Sequence, residues 1–211
     1  AACEGAILVI DATQGIEAQT LSNLYLALDN DLEIIPVINK IDLPNADPES
    51  VRAEIVDLLG CEPDDVLFVS AKKGTGVDEL LERIVKVIPP PKGDPGLPLQ
   101  AMVFDSLFDS YRGAMPFVRV VNGQLRKGDR IRFFSHDKTH EVDEVGFLRL
   151  TRIPQEVLKA GDVGYFFASI KEVAETKIGD TVTTSKGPAK EPLPGFVDVK
   201  PMVFSGIYPA V

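Results

Sequence analysis

A run of prolines divides this chain into two parts with different hydrophobic periods. Pro89-Pro90-Pro91-Lys92-Gly93-Asp94-Pro95-Gly96-Leu97-Pro98 cannot be helix and reads as a semi-rigid extended linker. Before it, short apolar runs alternate with segments of helical period. Beyond it the period is two. The 211 residues are enough for two ordinary domains. The boundaries expected are an α/β unit over 1–88, a linker over 89–98, an antiparallel β-barrel over 99–186, and a linker with one further strand over 187–211.

In the first part, Ala6-Ile7-Leu8-Val9-Ile10 and Ile34-Ile35-Pro36-Val37-Ile38 are strand-like runs, and Val66-Leu67-Phe68-Val69 is a third. Pro36 conflicts with its run, because proline removes a ladder donor. Between the runs, Leu21, Leu24, Tyr25 and Leu28 recur on one helical face. Asp47-Pro48 opens a second helix with a side-chain cap and a first-turn proline, and Gly60 closes it. Val77, Leu80, Leu81, Ile84, Val85 and Ile88 line a third. Continuous apolar strands alternating with helices predict a parallel sheet with helices on both faces.

In the second part, Phe117, Arg119 and Val121 alternate with Val118, Val120 and Asn122, and Asn122-Gly123 is a strong hairpin signal. Gly128-Asp129, Gly161-Asp162 and Gly179-Asp180 each precede a β-rich segment. Short strands between such turns predict a small antiparallel barrel. Lys200-Pro201-Met202-Val203-Phe204 reads as the first strand of a third domain.

Hydrophobic residues at 45% and charged residues at 26% exclude a disordered or fibrous chain. No run nears the roughly 18 apolar residues of a membrane span. The start, Ala1-Ala2-Cys3-Glu4, has no basic or apolar targeting pattern and no Met, so the chain is expected to begin inside a longer protein. Cys3 and Cys61 lack metal-ligand or CxxC spacing and read as reduced, semi-buried thiols. Net charge is −10. Residues 1–88 hold 6 Lys and Arg against 17 Asp and Glu, which argues against nucleic-acid binding there. Residues 112–152 hold nine basic and five acidic residues, compatible either with phosphate contacts or with a solvated strand face.

Asn39-Lys40-Ile41-Asp42 follows directly on the second apolar run, where ligands bind in an open α/β sheet. A carboxylate at Asp42 can accept both N1–H and the exocyclic amino protons of guanine, whereas adenine would leave it unpaired. Sites of this kind reject the wrong partner by about 10⁴-fold. Asn39 can bond the N7/O6 edge, and the Lys40 stem can lie over the base plane. One βα unit later comes Ser70-Ala71-Lys72, where a free Ala71 N–H would meet guanine O6 and the Lys72 stem would cover the other base face. Each motif alone is also an ordinary polar loop; together they point to a guanine site. The sequence contains no GxxxxGK[ST], so it offers base contacts without a phosphate loop or a catalytic centre.

Three other clusters read as structural. His136 and His140, four apart, fall in a hairpin-like segment rather than a helix, and no metal ligand is assigned. Asp64-Asp65 is a solvated loop, and Gly74-Thr75-Gly76 is the turn opening the third helix.

The segments Ala1 to Gly5, Ile10 to Gly15 and Glu17 to Thr20 resemble translational GTPases, and the Asn39–Pro44 and Ser70–Lys72 loops are similar to that superfamily's guanine-reading loops. Pro89 to Asp94, Phe104-Asp105-Ser106, Asp109 and Tyr111-Arg112-Gly113 narrow the resemblance to the LepA family, elongation factor 4. Leu125 to Asp129 and Ala160 to Tyr165 agree with its second domain, so the resemblance runs over essentially the whole chain.

It implies a partial P-loop GTPase-type sheet followed by a translation-factor β-barrel. The parent would be a GTP hydrolase that binds GTP/GDP, with Mg²⁺ only in the intact protein, and that remobilises or back-translocates stalled ribosomes. The nucleotide-binding residues carried over are Asn39, Lys40, Ile41, Asp42, Ser70, Ala71 and Lys72. No catalytic or metal residue is carried over, because the family's phosphate loop, switch segments and catalytic His lie upstream of Ala1. This stretch alone is expected to be inactive. The family also has a proline where Pro36 stands. The implied partners are the ribosome, through its RNA and proteins, and guanine nucleotide. The implied setting is a cytoplasmic monomer, with an organellar source or peripheral contact with the bacterial inner membrane left open. Alternatives are an elongation factor G-type or BipA-type GTPase, or a non-catalytic RNA-docking module using Arg126, Lys127 and Arg130.

Overall fold

The computed structural model describes residues 2–136, 138–172 and 175–194. They belong to two compact units, 1–91 and 92–211. The expected strand around Lys200 lies outside the described residues.

The first unit runs β1 (Gly5–Asp11), α1 (Ala18–Asp29), β2 (Glu33–Asn39), α2 (Pro48–Leu59), a 3₁₀ turn (Pro63–Asp65), β3 (Leu67–Phe68) and α3 (Val77–Val87). The strands form a parallel sheet in the order β1-β2-β3. Alternation along the buried β2 serves both faces. Ile34 and Ile38 point to a cluster with Leu24 of α1 and Val51 and Ile55 of α2, while Ile35 and Val37 point to Leu80 and Ile84 of α3. The sheet is therefore covered on both sides, as its continuous apolar strands require.

Pro36 sits in the central strand without breaking the ladder. The Ile38 carbonyl accepts from Val69 N–H on the β3 side, and the Asn39 carbonyl accepts from Ala12 N–H on the β1 side. By that alternation Pro36 faces β3, which begins only at Leu67, opposite Val37. No ladder donor is demanded of it.

The α2 cap forms as the sequence requires. Asp47 Oδ1 accepts from Ser50 N–H at 3.1 Å, Pro48 occupies the first turn, and Gly60 ends the helix at φ 67°. The face expected on α1 is only partly used: Leu24 is buried, but Tyr25 and Leu28 are exposed. The Asp64-Asp65 pair lies in the 3₁₀ turn, where Asp65 is ion-paired with Arg83. Of the cysteines, Cys61 is half-buried with its thiol pushed up by burial, whereas Cys3 is exposed, contrary to the expectation of two semi-buried thiols.

The second unit carries ten described strands: β4 (Gln100–Asp109), β5 (Gly113–Asn122), β6 (Gln124–Arg126), β7 (Arg130–Phe133), β8 (Thr139–Glu141), β9 (Glu144–Leu148), β10 (Arg152–Gln155), β11 (Val157–Lys159), β12 (Val163–Phe167) and β13 (Thr181–Thr184). Eight form an antiparallel sheet in the order β10-β9-β12-β5-β4-β13-β7-β8, and β6 pairs with β11 as a ribbon. Side chains from strands far apart in that order, such as Ile131 and Phe133 of β7 and Val145 of β9, share one cluster with Leu125, Leu158 and Phe166. They meet only because the sheet curls around them and the ribbon closes over the core.

Asn122-Gly123 does not make the expected hairpin, because β6 leaves β5 and pairs with β11. Gly123 (φ 74°) is bound by its surroundings: a Cβ there would lie 2.7 Å from the Leu99 backbone, and its N–H donates to the Asp94 carbonyl at 2.9 Å. The same Asp94 turns the end of the proline-rich segment, taking Gly96 N–H on its carboxylate and Leu97 N–H on its carbonyl. The three Gly-Asp turns do precede strands, with glycine φ values of 85°, 94° and 87°. In two of them the Asp carboxylate accepts the N–H three residues back, from Arg126 and from Lys159, each at 2.7 Å.

The arginines of 112–152 are largely engaged. Arg112 bonds Glu144 at 3.1 Å and stacks 3.7 Å from the Phe167 ring centre, while Arg152 reaches Asp109 and Arg130 approaches Glu141.

Candidate functional site

The strand ends place the two predicted loops side by side. Asn39 closes β2, and its Oδ1 accepts two backbone N–H groups, from Lys40 at 2.8 Å and from Ala71 at 3.1 Å. The first bond supports Lys40 in the left-handed region at φ 65°, a conformation a side-chain-bearing residue rarely adopts unaided. The second ties the two loops together. A third link follows: Ser70 Oγ, almost fully buried, donates to Asp42 Oδ1 at 2.7 Å. Ile41 N–H reaches the Val69 carbonyl at 3.4 Å, and its side chain packs on the core below. The Ser70 hydroxyl, with the Lys73 and Lys72 ammoniums farther off, holds the Asp42 carboxyl below its usual range.

The expected free Ala71 N–H is corrected by this geometry, because Asn39 Oδ1 already accepts it. A guanine O6 at that place has to share the donor or take it over. With its Oδ1 committed to the backbone, Asn39 retains the Nδ2 donor for a base acceptor.

Two further positions complete the site: Asp11, which sequence reasoning did not assign, and Gly76, in the turn expected to open the third helix. Asp11, at the end of β1 and in register with Asn39, accepts from Lys40 Nζ at 2.5 Å and from both Thr13 N–H and Oγ–H at 2.8 Å. The Lys40 bond, then the two Thr13 bonds, bring its carboxyl down to about 2. Asp11 thereby fixes where the Lys40 stem lies. The parallel register was the available signal, since it sets the residue after the first apolar run beside the residue after the second. Gly76 is the other position. A Cβ there would meet the Phe68 carbonyl at 2.2 Å, so the 70–76 turn folds back on β3 only with glycine at φ 73°. Ser70 N–H donates to the Thr75 carbonyl and Gly74 N–H to that of Ser70, closing the turn that opens α3.

A parallel sheet with two polar loops joined at adjacent strand ends, followed by a curled antiparallel sheet, is the architecture of a translation-factor GTPase. The comparisons agree in both units. The Elongation factor Tu GTP binding domain family matches residues 1–90, and Elongation factor Tu domain 2 matches 113–183. Translation elongation factor SelB from Methanococcus maripaludis, solved in its apo form, superposes with a TM-score of 0.71 over 86% of this chain and 40% of its own, at 19% identity, which shows the fold alone.

Curated relatives are similar over almost the whole chain. The chain is 57% identical to elongation factor 4 of Chlorobium limicola over 209 residues, covering 99% of this chain and 34% of the relative. Against elongation factor 4 of Chlorobaculum tepidum and of Flavobacterium johnsoniae the identities are 58% and 56%, with 34% and 35% of those proteins covered. The chain is similar to elongation factor 4 over nearly its whole length and spans about a third of the length of these relatives.

Proposed function

We propose that the chain supplies the guanine-reading loops and the β-barrel of a ribosome-associated GTP hydrolase that acts in protein synthesis and remobilises or back-translocates stalled ribosomes. In this reading Asp42 accepts from guanine N1–H and the exocyclic amino group, Asn39 donates to the N7 edge, and Ala71 N–H meets O6. Lys40 and Lys72 cover the two base faces, with Ile41 and Ser70 holding the loops in place. The observation that supports it most is the pair of cross-loop bonds, Ser70 to Asp42 and Ala71 to Asn39. They bring a carboxylate and a main-chain amide from separate strand ends to one place.

GTP/GDP, with Mg²⁺ in the intact protein, is the proposed ligand, and the ribosome is the proposed partner. The proposed domain limits are 1–88, 89–98, 99–186 and 187–211. Protein synthesis puts such a monomer in the cytoplasm. No helix among the described residues is long and apolar enough to cross a membrane. The names of the relatives favour elongation factor 4 over a G-type or BipA-type factor.

The test is nucleotide competition on the full-length protein carrying Asp42→Asn. Guanine nucleotide should weaken by at least about 100-fold, the loss of two charge-assisted hydrogen bonds, and xanthine nucleotide should strengthen, because Asn offers a donor to the xanthine carbonyl. Unchanged guanine preference would remove Asp42 from the site.

A further inference from the structure

The two histidines of the chain, left as structural by the sequence, converge with a carboxylate that lies 35 positions beyond the second of them. His136 follows β7, His140 lies on β8, and Glu175 comes from the segment before β13. The ligand atoms of the three all lie within 4.8 Å of one another. His140 Nε2 is buried and makes no hydrogen bond among the described residues, and it faces Glu175 Oε2 at 3.4 Å. His136 Nε2 stands 3.1 Å from the Glu175 carbonyl oxygen, and its Nδ1 accepts from Lys138 N–H at a long 3.3 Å. The other Glu175 oxygen, Oε1, is taken by the Lys138 ammonium. A cation thus already sits on this carboxylate, supplied by the chain itself. The Phe133 ring packs against both imidazoles, with centroids 5.2 and 6.1 Å away, and limits their orientation.

We propose that His136, His140 and Glu175 form a binding site for a divalent transition-metal ion of the zinc class. Two imidazoles and a carboxylate are the ligand set that suits zinc, with the fourth position left to water. Ligand atoms about 2 Å from a tetrahedral ion stand roughly 3.3 Å apart, so the trio needs to close only modestly from its present spacing. The closure is a side-chain adjustment at a hairpin turn, with Phe133 fixed behind it. Lys138 is the internal competitor: its ammonium shares Glu175 with the incoming ion and lowers the affinity without occupying either imidazole. The ion would staple the β7–β8 hairpin to the segment preceding β13.

The experiment is Zn²⁺ titration of the full 211-residue chain by calorimetry, with Co²⁺ as a spectroscopic probe. The expected result is one equivalent per chain and visible Co²⁺ bands of tetrahedral intensity. His136→Ala and His140→Ala should each weaken binding by more than about tenfold, the loss already typical of a ligand's supporting partners. Lys138→Met should tighten it several-fold, an arm that survives if a histidine variant folds poorly. Absence of stoichiometric binding, or binding unaffected by the histidine variants and by Lys138→Met, overturns the site.

Discussion

Among the described residues of the second unit, sixteen buried side chains form one main cluster and Met115, Phe117, Tyr165 and Phe167 a smaller one, whereas in the first unit the sheet separates eight on one face from four on the other. The first unit also leaves Ile7 and Val9 of β1 exposed, along with Tyr25, Leu26 and Leu28 of α1 and Leu81 and Val85 of α3. β1 lies at the sheet edge with no further strand beside it among the described residues. The second unit is thus built mainly around one curled interior and the first in layers about its sheet, and both leave large apolar side chains exposed, among them Phe108, Tyr111 and Leu150 of the second. The difference follows from period. Alternating strands put every second side chain into one curled interior, with β5 and β12 also burying Phe117, Tyr165 and Phe167 on the other alternation, while buried parallel strands divide their apolar residues between two faces. The candidate guanine site sits on the layered unit, where hydrogen bonds join its loops and Ile41 packs on the core below.

The sharpest way to test that contrast is Phe166→Ala in the main cluster of the second unit. Phe166 is fully buried, and its truncation should cost about 3–5 kcal/mol. Chemical denaturation followed by hydrogen exchange should show the loss confined to the second unit. An equal loss of protection in β1 and β2 would mean that the two cores are not independent.

Next in size is Gly76→Ala. The clash with the Phe68 carbonyl and the left-handed backbone should together cost about 1–3 kcal/mol and loosen the Ser70–Gly76 turn, with little effect on the second unit. Amide exchange at Ser70 reports it directly. Unchanged protection there would remove the close approach from the account.

The smallest effect concerns Asp11. Its folded-state pKa of about 2 lies below the ordinary 3.8, so its contribution is fully present above about pH 4 and is lost as pH falls through the folded value. Lys40→Met removes the largest cause, so the carboxyl should rise toward its ordinary value and acid unfolding should begin at a higher pH. Carboxyl NMR titration checks this, and an unmoved Asp11 would show that Thr13 alone sets it.

How much of this was legible in the chain varies with the range of the interaction. The α2 boundaries were readable because Asp47, Pro48 and Gly60 act on their immediate neighbours. The Asn39–Asp42 and Ser70–Lys72 loops were readable because each follows its strand directly. Pro36 was understood only once the late start of β3 was known, a fact about the neighbouring strand rather than about Pro36 itself. The Asn122-Gly123 hairpin failed for the same reason: the local turn signal was sound, but β11 offered β6 a better partner than β5 did. The α1 face was overestimated because period shows which residues share a side, not whether anything covers it. Ala71 N–H, Asp11 and Glu175 were beyond reach from local pattern, since each takes its role from a residue at least 29 positions away.

The central claim, that the strand-end loops at Asp42 and Ala71 read one purine, is tested most directly at the Ala71 amide of the full-length protein, labelled with ¹⁵N. Adding GDP should shift that resonance together with the Asn39 side-chain amide, while ADP at the same concentration should leave both in place. Equal responses to the two nucleotides, or no response to GDP, would contradict it.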